Sequence, residues 1–170
     1  QRGREHESTV VAESYPEAQR EAFVSEEEGF HKTLEMMAEG VGVIYGMPLL
    51  YFPAGMGGRP DILVRDDSGT SRFGPYHYRV VEIKSAKNIR ASHRVQGAFY
   101  TRLIGLVQGF EPDSFAVVNA IGDELWISQD EHGSAVDQAI AGVRRIYAGE
   151  SVAPCYGSCP WPWRSYGERL

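Results

Sequence analysis

Residues 58–64 read Gly-Arg-Pro-Asp-Ile-Leu-Val, and residues 80–84 read Val-Val-Glu-Ile-Lys. Both stretches are rich in β-branched and aliphatic residues and are predicted to be strands. Strand residues at i and i+2 point to the same face, so Glu82 and Lys84 project together. A hairpin between the two strands would bring Asp61 beside that pair. Two carboxylates and an ammonium are costly to assemble at one point unless a cation and a reacting anion belong there, which indicates a divalent metal and a phosphodiester.

Each of these charged residues also has an ordinary structural interpretation. An aspartate at a strand end is often a turn or capping residue. Glu82 and Lys84 have the spacing of a same-face surface pair, which contributes little to stability. The apolar residues around Glu82 favour a central strand instead, where a solvated surface pair is unexpected. The combination with Asp61, rather than any single residue, therefore indicates a functional site.

The composition is that of one ordinary globular domain. Hydrophobic residues make up 42% of the 170 residues and charged residues 24%, which suits a chain with a proper core. No apolar run approaches the roughly 18 residues of a membrane span, and the start has no signal-peptide pattern. We therefore expect a cytoplasmic protein without a membrane partner. The net charge of −6 argues against a broad basic surface that coats duplex nucleic acid.

The periodicity of the apolar residues predicts an α/β fold. Pro16 is suited to open a helix, and Ser25 followed by Glu28 has the spacing of a capping box at the start of another. Three strand-like segments then precede a helix, two strands and a last helix, an order that predicts a central mixed β-sheet flanked by helices. Helices are predicted over residues 1–14, 16–23, 26–39, 91–108 and 136–148, and strands over residues 43–52, 61–65, 76–84, 115–121 and 124–128.

The predicted helix over residues 91–108 carries polar residues that belong near the Asp-Glu-Lys group. Gln96 and Tyr100 are four residues apart and therefore share one helix face. Arg90 and Arg94 lie one turn apart at the start of the same helix. We expect these two arginines to bind nucleic-acid phosphates and to guide them towards the site.

The order of these motifs resembles the RecB-like branch of the PD-(D/E)xK nuclease superfamily, which includes CRISPR-associated exonucleases. That branch carries a histidine on an early helix, then an aspartate, a Glu-x-Lys and a Gln-x-x-x-Tyr. The matching residues here are His6, Asp61, Glu82 with Lys84, and Gln96 with Tyr100. Further similar segments are Gly3-x-x-His6-Glu7, residues 40–45 and Gly58-Arg59-x-Asp61. The resemblance covers nearly the whole chain and implies a restriction-endonuclease-like core that hydrolyses phosphodiester bonds.

The resemblance also implies a metal site. Its ligands would be Asp61, Glu82, the backbone carbonyl of Ile83 and, from the early helix, His6. Carboxylate and carbonyl oxygens suit Mg²⁺ or Mn²⁺, and a histidine nitrogen shifts the preference towards Mn²⁺. His31 and His93 are alternative histidines, but the Gly-x-x-His-Glu spacing favours His6.

The remaining catalytic roles follow from the same family. Lys84 lies beside two carboxylates, so we expect it to stay protonated and to stabilise negative charge on the reacting phosphate. In the family the glutamine and tyrosine orient the lysine and touch the DNA backbone, which assigns those roles here to Gln96 and Tyr100. By default these two would be a surface polar residue and a half-buried aromatic.

Two cysteines near the C-terminus point to an incomplete cofactor site. Many RecB-like relatives hold a [4Fe–4S] cluster with one cysteine before the histidine motif and three near the C-terminus. Cys155 and Cys159 fall in the matching region, but Gly167 occupies roughly the place of the third. Because such a cluster needs four thiolates, these residues alone are a remnant of the site. Free thiols are the ordinary alternative.

The expected organisation is a nuclease domain over residues 1–150, followed by a Pro-, Trp- and Cys-containing tail over residues 151–170 that packs on the same domain. The chain begins in what reads as the middle of a helix, so we expect further residues before Gln1. The expected function is hydrolysis of DNA, in particular exonuclease or flap processing of single strands. CRISPR adaptation with an integrase partner, association with a helicase, an RNA substrate and a non-catalytic binding module are alternatives that the sequence leaves open.

Overall fold

The computed structural model of the chain describes residues 2–150, with side chains from His6 onward. Cys155, Cys159 and the predicted tail lie outside the described residues. The chain divides into two compact units, the first ending at Val136 and the second beginning at Asp137. Between residues 2 and 150 no helix is both long and apolar enough to cross a bilayer. The β-sheet and the candidate site both lie in the first unit.

The elements are named in chain order. The helices are α1 (Arg2–Ser14), α2 (Glu26–Ala38), α3 (Ala91–Gln108) and α4 (Gly133–Tyr147), with one turn of 3₁₀ helix at Phe52–Ala54. The strands are β1 (Val43–Tyr45), β2 (Leu49–Tyr51), β3 (Met56–Gly58), β4 (Ile62–Asp66), β5 (His77–Ile83), β6 (Ser114–Val118) and β7 (Glu124–Ser128).

Five strands form one mixed sheet in the order β1-β4-β5-β6-β7, and β2 pairs with β3 in a separate two-stranded sheet. The β5–β6 pair is parallel, and the other pairs are antiparallel. A parallel pair needs a crossover connection, which α3 supplies between β5 and β6. The predicted α/β class, a mixed sheet flanked by helices, is therefore confirmed.

The two faces of the sheet carry different helices. α1 packs through Val10 on a buried cluster that includes Val81 and Ile83 of β5. α3 packs against β5 and β6. Because successive strand residues point to opposite faces, Glu82, between Val81 and Ile83, points away from α1. This alternation decides which helix contributes side chains around Glu82 and Lys84.

Residues 16–23 do not form the predicted helix. The N–H of Gln19 donates to the carbonyl of Val43 at 2.9 Å, and the carbonyl of Gln19 accepts from the N–H of Tyr45 at 2.8 Å. Pairing with the free edge of β1 satisfies the backbone polar groups that a helix would otherwise satisfy. The segment therefore runs beside β1 and places Arg20 over the ring of Tyr45, 5.6 Å from its centroid.

The predicted strand over residues 43–52 is divided in two. Gly46, between β1 and β2, has a φ of +59°, in the left-handed region that favours glycine. Its N–H donates to the carbonyl of Asp61 at 2.8 Å. The chain thus leaves the main sheet at Gly46, and β2 instead pairs with β3, a strand that the sequence did not predict.

The contact between α3 and β6 leads to a stability prediction. A methyl group added at Gly97 would lie 2.3 Å from Cε2 of Phe115, whose side chain is fully buried. We expect Gly97→Ala to lower the free energy of unfolding by about 1–3 kcal/mol through overpacking. Gly142→Ala is the matched control, because its methyl would meet no described atom within 4 Å in α4 and alanine favours a helix by about 0.5–1 kcal/mol. Denaturant unfolding measures the free energy of unfolding of both variants. A Gly97→Ala protein as stable as the wild type would contradict the close approach of α3 to β6.

Candidate active site

Asp61 and Glu82 are neighbours across β4 and β5. The antiparallel register pairs Ile62 with Val81. Asp61, just before Ile62, therefore lies beside Glu82, just after Val81. The N–H of Asp61 donates to Oε1 of Glu82 at 3.2 Å, and Oδ2 of Asp61 accepts from the N–H of Ile83 at 2.7 Å. Each carboxylate is therefore fixed by a backbone N–H of the other strand.

Lys84 completes the group at the end of β5. Its Nζ lies 2.7 Å from Oε2 of Glu82 and 3.9 Å from Oδ2 of Asp61. The side chain of Glu82 is 1% exposed, that of Lys84 15% and that of Asp61 22%. The three residues that strand alternation predicted to meet do meet, and the group opens to solvent on the side of Asp61.

The group contains two carboxylates but only one ammonium, and this imbalance is reflected in the pKa values of its members. Burial, followed by repulsion from Asp61, raises the pKa of Glu82 to about 7 against the attraction of Lys84. Burial also raises the pKa of Asp61, although the N–H of Ile83 and Lys84 oppose the shift. Burial alone would lower the pKa of Lys84, but Glu82 and Asp61 outweigh it and raise that pKa, so the lysine stays charged. One ammonium does not offset the cost of burying two carboxylates.

Helix α3 brings Tyr100 and Gln96 towards this group. Tyr100 lies near enough to Lys84 to contribute to the raised pKa of the lysine, and Nε2 of Gln96 donates to its hydroxyl at a long 3.5 Å. The ring of Tyr100 packs on the backbone of Gly58, where an added methyl would lie 2.5 Å from Cε1. A glycine at position 58 thus allows the tyrosine to lie between Lys84 and β3.

His6, the predicted histidine ligand, belongs to α1. It lies one turn before Val10, on the helix that packs against Val81 and Ile83. Its Nε2 is buried and has no hydrogen-bond partner among the described residues. The role of His6 as a metal ligand stays a prediction.

Of the two alternative histidines, His31 is exposed on α2. Nδ1 of His93 accepts from the N–H of Arg90 at 3.3 Å. Burial, and then the charges of Lys84 and Arg90, lower the pKa of His93, so this histidine lies on the lysine side of the site.

Glu7, the residue after His6, was missed by the sequence prediction and lines the site. It borders the same cleft as Asp61, and its charge adds to the raised pKa of that aspartate. The hydroxyl of Tyr45 donates to Oε1 of Glu7 at 3.0 Å and holds the carboxylate there. The position of Glu7 beside His6 in the early motif was a signal in the sequence, but only the packing of α1 shows that Glu7 borders the cleft of Asp61.

Neither of the predicted phosphate-binding arginines lines the cleft of Asp61. Arg94 borders a separate depression of about 350 Å³ with Lys87, Asn88 and Ile89. Arg90 caps the start of α3. The cleft that contains Asp61 is lined instead by Glu7, Ser8, Arg20, Tyr45, Gly46, Arg59 and Pro60, and its volume is about 470 Å³.

The residues present fit a hard divalent cation only in part. Asp61 and Glu82 offer carboxylate oxygens with a charge deficit that a cation would offset. In the described part of the chain, however, no three His, Cys, Asp or Glu side chains come close enough together to form a metal site. Oε2 of Glu82 is engaged by Lys84, and the ligand set of His6, Asp61 and Glu82 stays a prediction.

No protein-family model matches this chain, and no curated protein matches it as a relative. The assignment of a function therefore depends on the geometry and the charges of the site.

Proposed function

We propose that the protein is a metal-dependent nuclease with a restriction-endonuclease-like core, in which Asp61, Glu82 and Lys84 form the centre that hydrolyses phosphodiester bonds. One observation carries the proposal: two carboxylates and one ammonium are grouped at a strand end, with Glu82 almost fully buried and its pKa raised. Perturbed and mutually charged residues of this kind cluster at functional sites, because structure alone gains little from them.

In this proposal the hard oxygen ligands are Asp61, Glu82 and the carbonyl of Ile83, with Glu7 as a further carboxylate at the cleft. A bound Mg²⁺ or Mn²⁺ would supply an acidified water and would neutralise charge on the phosphate. Two hydrogen bonds from backbone N–H groups, that of Asp61 to Glu82 and that of Ile83 to Asp61, hold the carboxylates in place before any ligand arrives. Such preorganisation avoids reorganisation of the site during the reaction.

Lys84 would act as a fixed positive charge rather than as a base. Its raised pKa keeps the ammonium protonated at neutral pH, so it has no free lone pair with which to accept a proton. The ammonium can donate to a phosphate oxygen and stabilise the negative charge that develops there. Tyr100, close to Lys84 and packed on Gly58, would limit the positions that the lysine can adopt.

The proposed substrate is DNA, with single strands preferred over duplex. The substrate enters a cleft of about 470 Å³ on a protein with an overall charge of −6. Both features suit a single strand better than a duplex, which needs a broad basic surface.

The test is cleavage of end-labelled single-stranded DNA, duplex DNA and single-stranded RNA by the purified protein with Mg²⁺, Mn²⁺ or EDTA. We expect metal-dependent cleavage that is fastest on single-stranded DNA, with the ladder of products giving the direction of digestion. Absence of cleavage of any substrate with either metal, by a protein shown to be folded, would overturn the proposal.

A further inference from the structure

Two arginines that no motif singled out for binding border the cleft of Asp61. Arg20 and Arg59 line the cleft of about 470 Å³, and both also line a neighbouring depression of about 520 Å³ formed with residues 21–23. The two hollows thus share the arginines as a common border. A chain that occupies both hollows would pass beside both guanidinium groups.

Arg20 is held in place beside an aromatic ring. The pairing of Gln19 with β1 sets Arg20 beside Tyr45, with its guanidinium 5.6 Å from the ring centroid. Among the described residues no carboxylate pairs with Arg20. A guanidinium that stacks on an aromatic ring keeps its N–H groups available to bind a planar anion or a phosphate.

Arg59 is placed next to the catalytic centre by the chain itself, because only Pro60 separates it from Asp61. Its guanidinium lies 5.0 Å from the ring centroid of Phe23 and forms an ion pair with Glu26. Both side chains of that pair are largely exposed, at 42% and 56%, and exposed pairs contribute little to stability. Arg59 can therefore exchange Glu26 for another anion at small cost.

A polyanion can approach this cleft only if cations offset the negative charge at its border. Glu7 and Asp61 border it with negative charge, which would repel a polyanion that approaches the centre. Arg20 and Arg59 are the residues that offset this charge on the cleft wall, whereas Arg94 borders a separate depression. Forked guanidinium donors match phosphate oxygens in geometry as well as in charge.

We propose that Arg20 and Arg59 form a phosphate-binding site that receives the backbone of a single nucleic-acid strand and leads it to Asp61. The inference rests on the proposed nuclease function and specifies the path by which the substrate reaches that same site. It adds two phosphate contacts to the predicted Arg90 and Arg94.

The test measures the affinity of the protein for a fluorescently labelled single-stranded DNA in EDTA. Fluorescence anisotropy gives this affinity at each of a series of salt concentrations. Each lost phosphate contact should reduce the slope of log affinity against log salt by about 0.7. We expect Arg20→Gln and Arg59→Gln each to show this reduced slope and to weaken binding about fivefold to tenfold at low salt. Glu26→Gln, which releases Arg59 from its ion pair, should instead tighten binding.

Arg72→Gln is the matched control. Arg72 is an exposed arginine in the connection between β4 and β5, at the end of these strands far from Asp61, and its loss should leave the slope unchanged. Slopes of the Arg20 and Arg59 variants equal to that of the Arg72 variant would overturn the inference, as would absence of binding by the wild-type protein at low salt. Thermal unfolding verifies that each variant is folded.

Binding in EDTA and cleavage with Mn²⁺ separate the two proposals. Cleavage by the wild-type protein together with unchanged slopes in the variants would overturn the inference and leave the nuclease function in place. Reduced slopes without any cleavage would support the phosphate site and overturn the nuclease function.

Discussion

Asp61→Asn and Lys84→Ala are each expected to slow metal-dependent cleavage of DNA by at least about a hundredfold, the effect of removing one preorganised group that stabilises charge. The asparagine side chain keeps the shape of Asp61 and can still accept from the N–H of Ile83, but it lacks the negative charge that a divalent cation requires. Loss of Lys84 removes the ammonium that lies 2.7 Å from Glu82 and leaves that buried carboxylate without a cation.

Initial rates of cleavage with Mn²⁺, measured at saturating DNA, test this expectation. Asp67→Asn and Arg145→Ala serve as controls, because each removes a charge of the same sign from an exposed ion pair that does not line the cleft. Both controls should cleave at the wild-type rate within about a factor of two, since exposed pairs contribute little. Full activity in Asp61→Asn or in Lys84→Ala would contradict the assignment of the centre.

Glu82→Gln is expected to stabilise the metal-free protein while it abolishes cleavage. Burial makes the charged form of Glu82 unfavourable in the folded state and raises its pKa from 4.5 to about 7. A neutral glutamine of the same size avoids this cost. We expect the free energy of unfolding to rise by about 1–3 kcal/mol, less than the full shift implies because Lys84 loses its closest partner. Residues at functional sites are commonly placed at the expense of stability.

The raised pKa of Glu82 also determines how the stability of the protein changes with pH. Because the folded-state pKa of Glu82 lies above the ordinary value, the folded protein holds the proton more tightly than the unfolded chain does. The wild-type protein therefore loses stability as the pH rises from 4.5 to about 7 and no further through this group at higher pH. Glu82→Gln lacks this loss of stability. The difference in free energy of unfolding between the variant and the wild type should therefore grow over that pH interval and stay constant above it.

Thermal unfolding over a pH series, with and without Mn²⁺, measures both effects. Mn²⁺ should raise the unfolding temperature of the wild-type protein and not that of Glu82→Gln, because only a binding-competent folded state is stabilised by a ligand. Glu35→Gln, on the exposed side of α2, should change the stability by less than about 0.5 kcal/mol. A Glu82→Gln protein less stable than the wild type at every pH would contradict the account of a costly buried charge.

The central group was predictable because its geometry is local. Strand alternation puts Glu82 and Lys84 on one face, and a hairpin of two apolar strands leaves few ways to place Asp61 other than beside them. The helix of Gln96 and Tyr100 was predictable for a similar reason, since its apolar residues recur with a helical period over 18 residues.

The surroundings of the group were not predictable, because they depend on tertiary pairing. Residues 16–23 have a helix-opening proline, yet Gln19 pairs with the edge of β1 and brings Arg20 to the cleft. Gly46 turns the chain out of the sheet through its left-handed φ. The motif favoured His6, and the packing of α1 also brings Glu7 to the cleft of Asp61. Motif spacing along a helix does not reveal such further residues at a site.

The most direct test of the nuclease centre is single-turnover cleavage of end-labelled single-stranded DNA by excess wild-type protein, with Asp61→Asn purified in parallel. Mn²⁺ is supplied first, then chelated with EDTA, then restored. We predict that the wild-type protein cleaves, stops on chelation and resumes when Mn²⁺ returns, while Asp61→Asn remains inactive throughout. Cleavage that persists in EDTA, or equal cleavage by Asp61→Asn, would contradict a metal-dependent centre built on Asp61, Glu82 and Lys84.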